Sequence, residues 1–199
     1  ETLTQTAALA CSVAQVNVRT AISLVGESPA IIERIGFEGL RKVAALAATI
    51  AQSSWAHSIK VVEESPALLD RMLDAGSDRQ SSLSVYHLAS VMARDDWNIA
   101  ADFVAKIPAI LENPAHRIDK PLLDRLFTRT EKASFFGARP AYTFLETAPA
   151  LIDRLGLKGA EDVWECAFAM AEDNPENAVA LLMKTQDILD RLPPGAGTK

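Results

Sequence analysis

Five stretches of this chain end in nearly the same words. Ser28-Pro29-Ala30-Ile31-Ile32-Glu33-Arg34 recurs as Ser65-Pro66-Ala67-Leu68-Leu69-Asp70-Arg71. It recurs again as Ile107-Pro108-Ala109-Ile110-Leu111-Glu112, Ala148-Pro149-Ala150-Leu151-Ile152-Asp153-Arg154 and Thr185-Gln186-Asp187-Ile188-Leu189-Asp190-Arg191. With Pro29, Pro66, Pro108, Pro149 and Gln186 as anchors, the spacings are 37, 42, 41 and 37 residues. A recurrence of that length marks a helical array, in which each unit buries its apolar face only by stacking on its neighbour. Only 9 glycines and 6% aromatic residues, with abundant Ala, favour helix over strand. Apolar residues at 49% against 23% charged give enough material for a packed interior, which excludes a disordered chain.

Within the second copy, the spacing predicts a helix from about Phe37 to Ala51. Val43, Leu46, Ala47, Ile50 and Ala51 share one face. The same offsets hold Thr6, Leu9, Ala10, Val13 and Ala14 in the first copy. They hold Val85, Leu88, Ala89, Met92 and Ala93 in the third, and Val163, Cys166, Ala167, Met170 and Ala171 in the fifth. A polar break follows, ending in Ser54, Asp96 or Asn174, residues suited to cap a helix N-terminus. A second helix then carries Ile59, Val61 and Val62, matched by Ile22, Leu24 and Val25 and by Ala101, Phe103 and Val104. Proline disfavours helix in the residue before it, so this helix is expected to end or kink at the anchor. Ser28 and Ser65 would then cap a short third element. The expected fold is all-α: a right-handed α-solenoid of about five units, two long helices plus a short third in each. It would span residues 1–192, with 193–199 as a linker or tail.

The fourth copy departs from the pattern. Leu126, Arg129, Thr130, Ala133 and Ser134 stand at its first-helix positions, and Lys120 to Leu126 is an out-of-phase copy of the closing motif. Residues 112–121 are expected to form an irregular loop. Arg129, Lys132, Phe135, Phe136 and Arg139 break the repeat and are the candidate protein-binding residues, since loops on a rigid scaffold carry function more often than the scaffold itself.

The remaining chemistry is sparse. A net charge of −6, a pI near 5.1 and cations scattered singly among acids argue against nucleic-acid binding. Three histidines (His57, His87 and His116) lack zinc spacing, and neither catalytic metal nor cofactor is expected. The tail places Gly197-Thr198-Lys199 where a phosphate loop needs Gly-Lys-Ser/Thr. The two cysteines, Cys11 and Cys166, read as buried free thiols with no disulfide between them. With no apolar run of spanning length and no leader pattern, a cytoplasmic location with no membrane association is expected. The first residue, Glu1, and the Pro/Gly tail suggest a domain cut from a longer protein. Trp55 and Trp97 share one offset and are expected to be buried. Trp164 lies beside the first-helix core face, and packing is expected there also. The recurring Asp-Arg pair suggests a ladder in which Arg of one unit meets Asp of the next.

Unit length and build resemble HEAT-like and armadillo-like α-solenoids. More particularly, Trp55 through Met72, Trp97 through Leu111 and Ala138 through Leu155 look like the helical repeats that precede the von Willebrand A domain in activators of the NorD and CbbO type. That resemblance implies a MoxR-type ATPase as partner and maturation of a client enzyme as the task. It supplies no functional residue. The function expected is a non-catalytic protein-binding scaffold. The alternative is a nucleic-acid-processing enzyme on a similar scaffold, as in DNA glycosylases, which would need a basic groove with an acid at its centre.

Overall fold

The computed structural model describes residues 2–74, 77–111 and 120–192, and every regular element in them is an α-helix. The chain divides into two compact bodies, Glu1–Glu112 and Asn113–Lys199. The first holds α1 (Thr2–Ala14), α2 (Val18–Ala51), α3 (Trp55–Asp74), α4 (Arg79–Asp95) and α5 (Trp97–Leu111). The second holds α6 (Lys120–Ser134), α7 (Ala138–Asp173) and α8 (Pro175–Arg191). The loop expected at 112–121 lies outside the described residues as far as 119, and residues 120 and 121 already belong to α6. The tail 193–199 also lies outside them.

The repeat is visible in where helices begin. α2, α3, α5, α7 and α8 each start 11 residues before an anchor. Their caps follow the expected chemistry. Asn17 accepts the Thr20 N–H, Asp96 those of Asn98 and Ile99, and Asn174 that of Glu176. Ser54 instead engages His57 Nδ1 at 2.8 Å.

The anchors correct one expectation. The second helix of each copy does not stop at its proline: α2, α3, α5 and α7 run through Pro29, Pro66, Pro108 and Pro149. Ser28 and Ser65 are not caps but bond back along the helix, to the Val25 carbonyl at 2.9 Å and the Val61 carbonyl at 2.6 Å. Val25 supplies the carbonyl that the missing N–H of Pro29 leaves without its helical donor, so the serine hydroxyl offsets what proline removes. The chain breaks seven residues later, at Gly36 (φ 70°, ψ −177°) and Gly156 (φ 69°, ψ 168°). Only glycine occupies that region readily. The expected short third element is therefore the last part of the second helix.

The first-helix core is largely as expected. Val43, Leu46, Ala47 and Ile50 are buried, as are Val85, Leu88, Ala89, Met92 and Ala93. In the fourth copy Leu126, Thr130 and Ala133 are buried at the same offsets, whereas Arg129 is half-buried, and Thr130 satisfies its hydroxyl on the Leu126 carbonyl at 2.8 Å. On the second helices, Ala21, Ser58, Ala100, Ala141 and Ala178 share one offset and are all buried. Such small residues let neighbouring backbones approach closely. Ser58 donates to the Ala47 carbonyl (2.6 Å) and lies 3.1 Å from the Thr20 hydroxyl.

Three expectations fail at the outer copies and one at the helix starts. In the fifth copy Cys166 and Met170 are exposed and Val163 is half-buried, while Ala160, Trp164, Ala167 and Phe168 form the core. Ile22 and Val25 of the first copy are exposed, although Val62 and Val104 at the offset of Val25 are buried. Cys11 is also exposed, so neither thiol is buried. Both cysteines should react with Ellman's reagent in the native protein at rates close to those of a small thiol. Protection of either until denaturant is added would contradict this placement. Trp55 and Trp97 do occupy equivalent places, but at exposed helix starts. Trp55 is 50% exposed with the Arg19 guanidinium 5.2 Å from its ring, and Trp97 is half-buried against His57. Trp164, by contrast, is 1% exposed.

The charge ladder has a clear rung between the first two copies. Arg34 grips Asp70 of the next copy with Nε and Nη2, each at 2.6 Å. Arg154 uses its guanidinium differently, donating to the main-chain carbonyls of Leu189 and Leu192 at the end of α8. The Arg34 hydrogen bond holds the Asp70 carboxyl below its ordinary value and raises that of Arg34. A carboxyl depressed on folding contributes stability above its unfolded pKa, and that contribution is lost as pH falls through the folded value. The gap in urea midpoint between wild type and Asp70→Asn should therefore be present at pH 7 and shrink toward zero below about pH 4. A gap independent of pH would assign it to something other than this ion pair.

Candidate functional site

The seam between successive second helices is not equally filled along the N-terminal body. Between α2 and α3, Ile59 stands at one offset, and at another Glu63 meets Ser23 at 3.1 Å. Between α3 and α5 the same two offsets are Ala101 and Ala105. The missing side chains leave a groove of about 550 Å³. Its floor is Val61, Leu68 and Val104, all buried, and its rim carries Lys60 and Glu64 from α3 and Asp102 from α5. One end is closed by the His57 and Trp97 rings, 4.8 Å apart, and Arg71 and Pro108 line the groove as well.

Within the groove charges are mixed and mostly spent locally. Lys60 lies 3.7 Å from Glu64 and Asp102 lies 3.4 Å from Lys106. His57 contacts Ser54, but a nucleophilic triad needs an acid behind the imidazole, and none of its described contacts supplies one. Among the described residues no three His, Cys, Asp or Glu side chains cluster to hold a metal, and no helix is long and apolar enough to cross a membrane. His116 lies outside the described residues. The volume is within the range of ligand sites. An apolar floor under a rim of both signs suits a peptide segment laid along the two helices.

The five residues marked from sequence lie around the α6–α7 corner of the C-terminal body. Arg129 and Lys132 converge on Glu165 of α7, and the Lys132 ammonium also sits 4.6 Å above the Phe168 ring. The Arg129 hydrogen bond, foremost, holds the Glu165 carboxyl below its ordinary value. Arg139 pairs with Glu176 at 3.7 Å. Phe136 is half-buried, while Phe135 is 84% exposed. The three cations thus tie α6 and the start of α7 to the helices that follow, and Phe135 is left as a bare apolar side chain at the corner.

No family model, curated protein or solved structure matches this chain. The groove has to be read from its own residues. Sequence reasoning passed over it because Ala101 and Ala105 look like ordinary helix formers. The signal was in the alignment of the copies: where the third has Ala and Ala, the second has Ile59 and Glu63, the fourth Tyr142 and Glu146, and the fifth Val179 and Met183.

Proposed function

We propose that this chain is a non-catalytic scaffold of about five HEAT-like repeats, stacked in a right-handed superhelix, that binds another protein. The bound segment lies in the groove between α3 and α5. The observation that carries this reading is the pair Ala101 and Ala105, which line the groove where the second copy carries Ile59 and Glu63. An amphipathic segment would set apolar side chains on Val61, Leu68 and Val104, and stack on the His57–Trp97 pair at one end. Phe135, exposed at the corner of the C-terminal body, offers a second contact point beside Arg139. The likeness of the closing motif to NorD- and CbbO-type activators makes a MoxR-type ATPase or its client enzyme the first partner to try, and this rests on the motif alone.

The test fills the groove with residues that the repeat itself uses. Ala101→Ile with Ala105→Glu reproduces the second copy at both offsets, so the fold should keep its urea midpoint. A protein captured from the native host by the wild-type chain should be lost with the filled variant. Equal capture by both would reject the groove. Salt-sensitive retention of DNA or RNA in place of a protein would reject the class of function.

A further inference from the structure

We infer that a second groove, on the first helices of the N-terminal body, binds an acidic peptide segment. α1, the second half of α2 and α4 flank a space of about 410 Å³ there, and no residue lines both this groove and the one between α3 and α5. Val13 and Ala44 give it a buried apolar base. Arg41, Lys42 and Arg94 bring three cations to its walls against a single carboxylate, that of Glu38. Glu38 is spent on Arg41, 3.0 Å away. Lys42 and Arg94 have no ion-pair or hydrogen-bond partner among the described residues.

Stacking of the first helices does not require these charges. At the offset of Arg41 the other copies hold Thr4, Leu83, Asp124 and Glu161, and at that of Arg94 they hold Gln15, Gln52, Phe135 and Glu172. At the offset of Lys42 stand Gln5, Ser84, Arg125 and Asp162, and Arg125 has its own acid, Glu161, at 3.6 Å. In the C-terminal body the cations of α6 are answered by the next first helix, with Arg129 and Lys132 both on Glu165. Where α7 has Glu165, α1, α2 and α4 have Ala8, Ala45 and His87, and α1 carries no charged residue at all. The acid that would pair with Lys42 and Arg94 therefore has to be brought by a ligand, and charge-assisted hydrogen bonds to carboxylates are what Arg and Lys make best. Length selects among anions. The α2 lining runs from Glu38 to Ala48, about 15 Å of helix. About five residues of extended peptide cover that distance, and cations on two helices suit a segment with more than one acid. A nucleic acid fits less well. Duplex DNA carries a charge every ~1.7 Å and would continue past the groove along a chain of net charge −6.

Fluorescence anisotropy with a short labelled peptide of alternating Gly and Glu tests this, against its Gly and Gln counterpart. The wild-type chain should bind the first and not the second, and raising NaCl from about 50 to about 300 mM should weaken binding about tenfold or more. Lys42→Ser with Arg94→Gln installs residues that other copies use at those offsets, so the helical signal and urea midpoint should hold while affinity falls about tenfold or more. Lys158→Ser with Lys184→Gln removes two exposed cations of the C-terminal body and should leave binding unchanged. The variant with Ala101→Ile and Ala105→Glu should also bind the peptide as wild type does, which separates this groove from the one between α3 and α5. Failure of the wild-type chain to bind the Glu peptide would overturn the proposal. So would equal losses from the two pairs of cation substitutions, binding that survives Lys42→Ser with Arg94→Gln, or tighter binding of a DNA oligonucleotide than of the peptide.

Discussion

Trp164→Ala should cost about 3–5 kcal/mol of unfolding free energy, the range for emptying a buried aromatic site. Trp164 meets Phe144 edge-on with centroids 5.0 Å apart, and Phe144 stacks on Phe168 at 5.8 Å. Its offset carries a large side chain in neighbouring copies too, Tyr86 in the third and Phe127 in the fourth, both buried, so the position is a core site of the repeat. Trp55→Ala should cost less than about 1 kcal/mol, since an exposed helix start leaves no cavity behind. Urea denaturation of both variants gives the comparison. Equal losses would mean that the two tryptophans are equally buried.

The second large effect is at a backbone joint. Gly36→Ala should cost about 2–5 kcal/mol, from a strained backbone together with a lost charged hydrogen bond. A Cβ on Gly36 would stand 1.7 Å from Arg79 Nη2. Arg79 would have to swing away and give up its 2.7 Å bond from Nε to the Ile35 carbonyl. Gly156→Ala carries the same backbone strain, but nothing lies within 4 Å of its Cβ, so it should cost only about 1–3 kcal/mol. In an Arg79→Ala background the difference between the two glycine variants should vanish. A difference that persists there would show that the guanidinium is not its source.

Helix starts and most of the interior were legible because they depend on chemistry within one copy. Asp96 and Asn174 declare a cap, and Val43 with Ala47 and Ile50 declares a face. What was misread depends on context beyond the copy. Cys166 stands at the offset of buried Leu46 and Leu88 and is nevertheless exposed, with α8 the one described helix that follows it. Pro66 signals a helix break in isolation, yet a helix already docked along its length absorbs one missing hydrogen bond. The true breaks, Gly36 and Gly156, are single residues among nine glycines. The groove escaped notice for a related reason: it is made by two absent side chains, and a residue pattern reports what is present.

Arg79 belongs to the third copy, while the joint it locks separates the first from the second. The Ile35 carbonyl at the end of one helix thus waits for a donor supplied by a segment 44 residues further along the chain. Two copies made alone would leave that joint open, with an unpaired carbonyl and a glycine free to turn. The smallest cooperative block of the N-terminal body is therefore three copies. Amide exchange around Gly36 should report the loss of α4 as directly as exchange within α4 itself.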